Sequence, residues 1–195
     1  MRDGLATQRR LLDAATDEFS RYGIAGARVD RISANAHANK AQLYAFFGSK
    51  DGLFDAVFGE HADLIVNTVP IDGTDLPGYA VRLYDACLAR PELVRLATWA
   101  RLERGLMTDL ITDMGDQTAR KLQSITEAQR SGHVDSSLDP ADIVALVTTM
   151  ALTWSPASLF HVAAIEDPEA DHERRRRALA DTVRRAFTPS QADAD

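Results

Sequence analysis

The spacing of apolar residues most constrains what this chain can fold into, and over most of its length that spacing is helical. Between Thr7 and Tyr22 there is no Gly or Pro, and Leu12, Ala15, Phe19 and Tyr22 follow one another at intervals of three and four residues. That period places the four side chains on one face of an α-helix. No alternation of apolar and polar residues is long enough to indicate a β-strand. The sequence therefore predicts an all-α protein.

Glycines and capping residues divide the N-terminal part of this pattern into short helices. Gly23 predicts the end of the first helix, and Asn39 is placed to begin a third helix by accepting a backbone N–H. Gly48 ends that helix, and Ser49 can cap a fourth. The predicted core consists of apolar residues from these helices: Phe19, Val29, Ile32, Leu43, Phe46 and Phe47.

A stretch rich in Pro, Gly and Asp between residues 67 and 78 is the candidate linker, and further helices are predicted after it. The first of them begins near Tyr79, and the second begins at Pro91. Asp139-Pro140 and Asp167-Pro168 each pair an N-cap with a proline at the first helical position. The whole chain is thus predicted to contain about nine helices.

The charge of the chain is unevenly distributed. The total is −7, but residues 1–50 contain eight Lys and Arg against five Asp and Glu, a net charge of +3, so that the rest of the chain carries −10. A basic segment joined to an acidic remainder can contact phosphates with one end only. Chance clustering of the charges is the alternative interpretation.

The sequence contains no residue pattern typical of an enzyme's active site. The five histidines lack a metal-binding spacing, and there is no phosphate-binding glycine loop, so we predict no catalytic residue, no metal and no cofactor. Cys87, the single cysteine, excludes an intrachain disulfide and is expected to be a core thiol. No segment approaches the roughly 20 apolar residues of a membrane span, and the N-terminus has no signal peptide. We therefore expect a soluble protein of the reducing cytoplasm without a membrane partner.

Three short helices with a tight turn between the second and third are typical of a helix-turn-helix, which places its last helix in the major groove of DNA. Asn and Gln can pair with adenine edges, Lys with guanine or phosphate, and Tyr and Arg with phosphate. The predicted DNA-binding residues are Arg28, Asn39, Lys40, Gln42, Tyr44 and Lys50. The alternative is structural, in which Asn39 only caps the helix, Lys40 and Gln42 are solvated, and Tyr44 packs in the core.

These N-terminal residues resemble the DNA-binding domain of the tetracycline-repressor (TetR) family. The resemblance covers residues 8–58 and is specific, because Leu-Tyr-x-x-Phe followed by Ser-Lys is an uncommon combination. It is carried by Arg10–Ala15, Phe19, Tyr22-Gly23, Val29–Ser33, Lys40–Phe47 and Ser49–Leu53. Later segments, Leu76–Tyr79, Pro91–Leu93 and Trp99–Arg104, look like the effector domain of one branch of the family.

The chain departs from the family pattern at three positions. His37 stands where the turn usually has Gly, so either it adopts a left-handed backbone or the turn has another shape. Gln42 stands where a small hydroxyl residue is common, and Phe46 where a His is common. The preferred bases therefore cannot be inferred from relatives.

The resemblance implies a repressor that binds a palindromic double-stranded DNA operator as a homodimer and is released by a small-molecule effector. Its two recognition helices would lie about 34–36 Å apart. Residues suited to an effector pocket are Tyr84, Trp99, Glu103, Met107, Met150, Trp154 and Phe160. Such side chains are more often plain core. The last two helices would form the dimer interface, with Val147, Ala151, Leu179, Val183 and Phe187 as candidate contacts.

Three domains follow from these patterns. Residues 1–50 form the predicted DNA-binding domain, residues 51–188 the effector-binding and dimerisation domain, and residues 189–195 a disordered tail. The run Arg174–Arg177 is expected to be a solvated face balanced by nearby acidic residues rather than a second DNA contact. The alternatives are a DNA-binding dimer without an effector and, in another class, an all-α enzyme.

Overall fold

The structure is a computed structural model that describes residues 2–67, 69–104 and 114–189. Within these residues it contains nine α-helices, one short 3₁₀ helix and no strand, which confirms the all-α prediction. No helix among them is long and apolar enough to cross a membrane. The α-helices are α1 (Arg2–Gly26), α2 (Val29–Asn35), α3 (Lys40–Phe47), α4 (Lys50–Asn67), α5 (Leu76–Ala89), α6 (Pro91–Arg104), α7 (Met114–Arg130), α8 (Pro140–Ala151) and α9 (Glu169–Phe187).

The chain divides into two compact units, each built from two stretches of sequence. The first contains residues 1–65 and 92–112, and the second contains residues 66–91 and 113–195. The first unit therefore extends past the predicted boundary after residue 50 and includes nearly all of α6. Four buried apolar residues of α4 lie in this extension: Leu53, Phe54, Val57 and Phe58.

Aromatic residues of α4 complete the core of the first unit. Phe54 meets Phe19 of α1 edge to face, with ring centroids 5.2 Å apart, and stacks on Phe58 at 5.8 Å. Phe19, Ile32 and Leu43 are fully buried, as predicted. The prediction for Phe46 is wrong, because its side chain is 39% exposed. Since α4 already supplies the aromatic rings of the core, Phe46 remains on the outer face of α3.

Helix α5 packs against both α8 and α9 in the second unit, and α7 packs against α8. The buried residues of this unit form one apolar cluster: Val69, Leu76, Tyr79, Ala80, Tyr84, Ile125, Ala128, Val134, Ile143, Val147, Ala151, Leu179, Val183 and Phe187. Burial of this cluster is the main source of stability for the unit.

The predicted linker is packed rather than loose. Val69 is buried, and the Gly73 N–H donates to Ser124 Oγ of α7 at 3.0 Å. Asp75 caps α5 by accepting from the Gly78 N–H at 2.9 Å. Because of this cap, α5 begins at Leu76, three residues before the predicted start.

The two Asp-Pro pairs behave differently. Asp139 caps α8 as predicted, accepting from the Ala141 N–H at 2.7 Å. The prediction for Asp167 is wrong, because Pro168 is the N-cap of α9 and has extended backbone (φ −55°, ψ 137°). The Asp167 carboxylate instead accepts from Arg175 Nη1 at 2.7 Å, so it is not available to cap the helix.

Gly73→Ala tests the packed linker. A Cβ at this position would lie 2.4 Å from the Ser124 carbonyl oxygen and 2.8 Å from Ala128 Cβ, so the backbone must move. We expect the free energy of unfolding, measured by urea titration, to fall by about 1–3 kcal/mol. Gly59→Ala in α4 is the control, because nothing lies within 4 Å of the position that its Cβ would take, and it should stabilise the protein by about 0.5–1 kcal/mol. Equal effects of the two substitutions would contradict the packed linker.

Candidate nucleic-acid interface

Helix α3 presents most of its surface to solvent. Leu43 is its only buried residue, and the exposed residues are Lys40, Ala41, Gln42, Tyr44, Ala45 and Phe46. Tyr44 is 46% exposed, so it does not pack in the core. A helix anchored by one buried side chain, with polar residues on its open face, has the form that DNA-binding proteins place in the major groove.

The turn before α3 contains a left-handed residue. His37 has φ 50°, its N–H donates to the Ala34 carbonyl at 3.1 Å, and the Ala38 N–H donates to the Ser33 carbonyl at 2.9 Å. These two bonds form the Schellman arrangement that ends helices, where glycine is favoured. The chain therefore forms a tight turn with His37 in the conformation that glycine usually adopts.

Asn39 and Gln42 are hydrogen-bonded to each other's backbone. Asn39 Oδ1 accepts from the Gln42 N–H at 2.8 Å, and Gln42 Oε1 accepts from the Asn39 N–H at 3.1 Å. This capping box fixes the first turn of α3. Because Gln42 Oε1 already accepts from the backbone, its amide NH₂ is the group best placed to donate to a base.

Lys40 forms an ion pair with Asp30 of α2, and both side chains are exposed. Hydrogen bonding within the pair raises the pKa of Lys40 and lowers that of Asp30. An exposed pair of this kind is weak in water. A DNA phosphate or guanine could therefore replace Asp30 as the partner of Lys40.

The Lys50 side chain is hydrogen-bonded to backbone carbonyls of the protein itself. Its Nζ donates to the carbonyls of Ala25 and Ala27, at 3.3 Å each. These carbonyls belong to the last turn of α1 and to the residue that follows it. The side chain of Arg28, just after this turn, is exposed. Of the two predicted phosphate anchors, Arg28 is thus the more accessible.

Sequence reasoning missed the ion pair that positions α2. Glu18 is 4% exposed, and its carboxylate accepts from the Arg28 N–H at 2.8 Å and pairs with Arg31 at 2.6 Å. The Arg31 guanidinium also lies 4.3 Å from the centroid of the Tyr22 ring. A signal was present, because Glu18 falls on the face defined by Leu11, Ala15 and Tyr22, where a charge requires a partner.

Two predicted ligand residues, Trp99 and Glu103, belong to the first unit and contact α1. Trp99 Nε1 donates to the Ser20 carbonyl at 3.3 Å. Glu103 accepts from the Ile24 N–H at 3.1 Å and from the Ala25 N–H at 2.7 Å. Their hydrogen-bonding groups are thus engaged in holding α6 to α1, whereas Tyr84 belongs to the second unit.

Tyr84 and Trp154 do lie together, in the second unit. Their rings meet edge to face at 5.8 Å, and both line a cavity of about 10 Å³, bordered also by Cys87 and Pro156. That volume has room for about one water molecule. Met150 packs against the neighbouring core cluster. Burial raises the pKa of Cys87 to about 11, which disfavours the reactive thiolate.

The remaining predicted ligand residues lie elsewhere. Phe160 is fully exposed in the segment between α8 and α9, and Met107 lies outside the described residues. A larger cleft of about 330 Å³ lies between the linker and the end of α9, bordered by residues that include Thr74, His133 and Arg184. It falls within the size range of small-molecule sites.

Buried polar residues border Tyr84. Tyr84 Oη and His172 Nδ1 are 2.7 Å apart, while His172 Nε2 is buried without a hydrogen-bond partner among the described residues. Arg175 is 6% exposed and is bonded to Asp167 and to His161 Nε2, the latter at 3.1 Å. Three members of the predicted basic run thus have acidic partners, since Arg174 pairs with Asp171 and Arg176 with Asp85 and Glu169.

The five candidate dimer contacts are covered within the single chain. At most 4% of the surface of each is exposed, because all five belong to the apolar cluster of the second unit: Val147, Ala151, Leu179, Val183 and Phe187. They belong to the core of the unit and leave little surface for a partner. Exposed apolar residues in the same part of the chain are Leu146, Leu159, Phe160, Val162 and Ile165.

Two family models match the sequence. Residues 11–57 match the model described as bacterial regulatory proteins of the tetR family. Residues 75–185 match the tetracyclin repressor-like C-terminal domain. Together these models cover both the helix-turn-helix and most of the second unit.

Curated relatives and solved structures agree with those matches. The HTH-type transcriptional repressor SCO4008 of Streptomyces coelicolor is 38% identical over 155 residues, which cover 79% of this chain and 80% of that protein. The transcriptional regulator SCO4942 of the same species has a crystal structure with a TM-score of 0.75 and 36% identity, covering 93% of this chain and 98% of that one. A TetR family regulator from Marinobacter aquaeolei VT8, 18% identical, shares the fold with a TM-score of 0.63, covering 93% of this chain and 97% of that one.

His37→Gly tests the left-handed turn. Glycine adopts a positive φ without the steric cost that a side chain incurs, so we expect the free energy of unfolding to rise by about 1 kcal/mol. Gly48→Ala makes the reverse change, because it adds a side chain at a residue with φ 73° and open space where the Cβ would lie. We expect it to lower the free energy of unfolding by about 1 kcal/mol. Loss of stability in His37→Gly would show that the imidazole, and not the backbone, determines the turn.

Proposed function

This chain belongs to the TetR family of bacterial regulatory proteins, and we propose that it represses transcription by binding a palindromic DNA operator as a homodimer. The family consists of DNA-binding regulators, so the chain is a transcriptional repressor and not an enzyme. Its place of action is the cytoplasm, where its DNA partner lies. We further propose that a small-molecule effector releases it from the operator.

The exposed face of α3 is the observation that carries the DNA-binding proposal. Lys40, Gln42 and Tyr44 project from a helix with one buried residue, within the first 50 residues, whose net charge is +3. Lys40 and Tyr44 can reach phosphates or base edges, and the Gln42 amide can donate to acceptors such as guanine O6 and N7. Arg28 provides a further phosphate contact beside them.

The region of Tyr84 and Trp154 supports the proposal of an effector. An aromatic pair beside the buried His172 imidazole, whose Nε2 has no hydrogen-bond partner among the described residues, offers both apolar contact and one polar anchor. The cavity there is too small for a ligand of ordinary size, so the effector must separate α5 from α8 to enter. The same small volume favours the second candidate function, a DNA-binding dimer without an effector.

Selection of bound sequences from a random DNA pool tests the proposed function. We expect the full chain to select a palindrome and to sediment as a dimer. Lys40→Ala combined with Gln42→Ala should reduce its affinity for that palindrome to the affinity for unrelated DNA, because each lost base contact costs about 1–3 kcal/mol. Fluorescence anisotropy titrations provide the measurement. If the double variant binds the palindrome as tightly as the unaltered chain, α3 is not the helix that recognises the DNA sequence.

Asp30→Asn is the matched control for that titration. It releases Lys40 from its ion pair and removes a negative charge from the DNA-facing surface, so affinity for all sequences should rise. Gln42→Ala also removes half of the capping box, and circular dichroism should confirm that the double variant keeps its helical content.

Tryptophan fluorescence distinguishes the two candidate functions. The chain has two tryptophans, so Trp99→Phe leaves Trp154 as the single reporter. We expect a compound that releases the operator to change the emission of Trp154. A compound that releases the operator without this change would place the effector elsewhere, and the cleft beside Arg184 is the next candidate. No release in a broad compound screen would favour the regulator without an effector.

A further inference from the structure

Helix α1 is interrupted three residues before its end. Gly23 has φ 71° and ψ −179°, which lies outside the helical region. After this break the chain forms one more helical turn, Gly23–Ala27, in which the Ala27 N–H donates to the Gly23 carbonyl at 3.2 Å. Isolated single turns are unstable, because the hydrogen bonds of one turn do not compensate for the loss of conformational entropy. The turn Gly23–Ala27 therefore depends on contacts from outside it.

Two charged side chains from other helices supply those contacts. The Glu103 carboxylate of α6 accepts from the N–H groups of Ile24 and Ala25, at 3.1 and 2.7 Å. The Lys50 ammonium of α4 donates to the carbonyls of Ala25 and Ala27. The anion lies at the N–H end and the cation at the carbonyl end, which is the arrangement that the helix dipole favours.

The break at Gly23 is shaped to receive α6. A Cβ at Gly23 would lie 2.5 Å from Glu103 Oε1 and 3.0 Å from the ring of Trp99, so a side chain there would displace both residues. Arg104, next to Glu103, pairs with Asp51 and Asp55 of α4 and lies over the Phe54 ring at 4.6 Å. The end of α6 thus contacts both the turn and α4.

The turn leads directly into the DNA-binding helices. Arg28 follows Ala27 and is the N-cap of α2, and its N–H is bonded to Glu18. The direction in which the chain leaves the turn therefore sets where α2 begins, and α2 packs against α3. A shift of the turn would move the exposed side chains of α3 together with α2.

We propose that Glu103 is a positioning residue for DNA recognition: by capping the turn Gly23–Ala27 from α6, it holds α2 and α3 in the orientation that specific binding requires. The proposal rests on the proposed function, since it concerns the same DNA-binding helices. It assigns a role in operator binding to a residue that lies more than fifty positions beyond the helix-turn-helix in the sequence. It also explains why the Glu103 carboxylate is not available to a ligand.

The test compares three variants of the full chain on the selected palindrome and on unrelated DNA. Glu103→Ala should lower affinity for the palindrome at least about tenfold while leaving affinity for unrelated DNA within about twofold. Glu103→Gln keeps one acceptor oxygen and should lose only about threefold. Glu92→Ala, which removes the same charge from the first turn of the same helix, should retain the affinity of the unaltered chain.

A purely structural role would give a different pattern. In that case Glu103→Ala would bind both the palindrome and unrelated DNA more weakly and would have a lower melting temperature. Glu103→Gln would then not restore the ratio of palindrome affinity to unrelated-DNA affinity. Equal palindrome affinity in Glu103→Ala and Glu92→Ala would overturn the proposal while leaving the proposed function intact. Failure of the unaltered chain to prefer any sequence would instead contradict the proposed function.

Two further measurements keep the comparison decisive. In a Trp154→Phe background, Trp99 is the only tryptophan, and its emission should shift in Glu103→Ala if α6 moves away from the turn. If Glu103→Ala does not fold, Glu103→Gln decides the matter with the same two DNAs. An unchanged ratio of specific to non-specific affinity in Glu103→Gln, together with unchanged Trp99 emission, would then overturn the proposal.

Discussion

The hydrogen bonds from Glu103 to the Ile24 and Ala25 N–H groups are the contact on which the geometry of the first unit depends. Without them the last turn of α1 would have uncapped N–H groups beside a glycine that has already left the helical conformation. The contact joins the two separate stretches of sequence that make up the first unit, residues 1–65 and 92–112.

Helix α3 shows how the protein satisfies the hydrogen-bonding groups that it offers to DNA. Asn39 and Gln42 bond to each other's backbone, and Lys40 pairs with Asp30. These contacts are exposed and individually weak, so they preorganise the helix at little cost to binding. Glu18 and Arg31 make the opposite kind of contact, since Glu18 is buried and its loss would leave the Arg28 N–H without its acceptor and Arg31 without its carboxylate partner.

Local patterns in the sequence predicted much of the fold, because caps and periodicity are local properties. The starts of α3, α6 and α8 follow from Asn39, Pro91 and Asp139, and the helix-turn-helix follows from the N-terminal pattern. Contacts distant in sequence could not be predicted in this way. Helical spacing does not show which helix a face meets, so it does not predict that Trp99 and Glu103 contact α1 or that α9 packs against α5.

Protection of guanine N7 from dimethyl sulfate on the selected operator is the most direct test of the central claim that α3 occupies the major groove. Guanine N7 faces that groove, whereas adenine N3 faces the minor groove. We expect the bound protein to protect guanine N7 in two patches, about one helical turn or a multiple of it apart. We also expect Lys40→Ala combined with Gln42→Ala to remove both patches. Protection of adenine N3 alone, with guanine N7 still methylated, would contradict this claim.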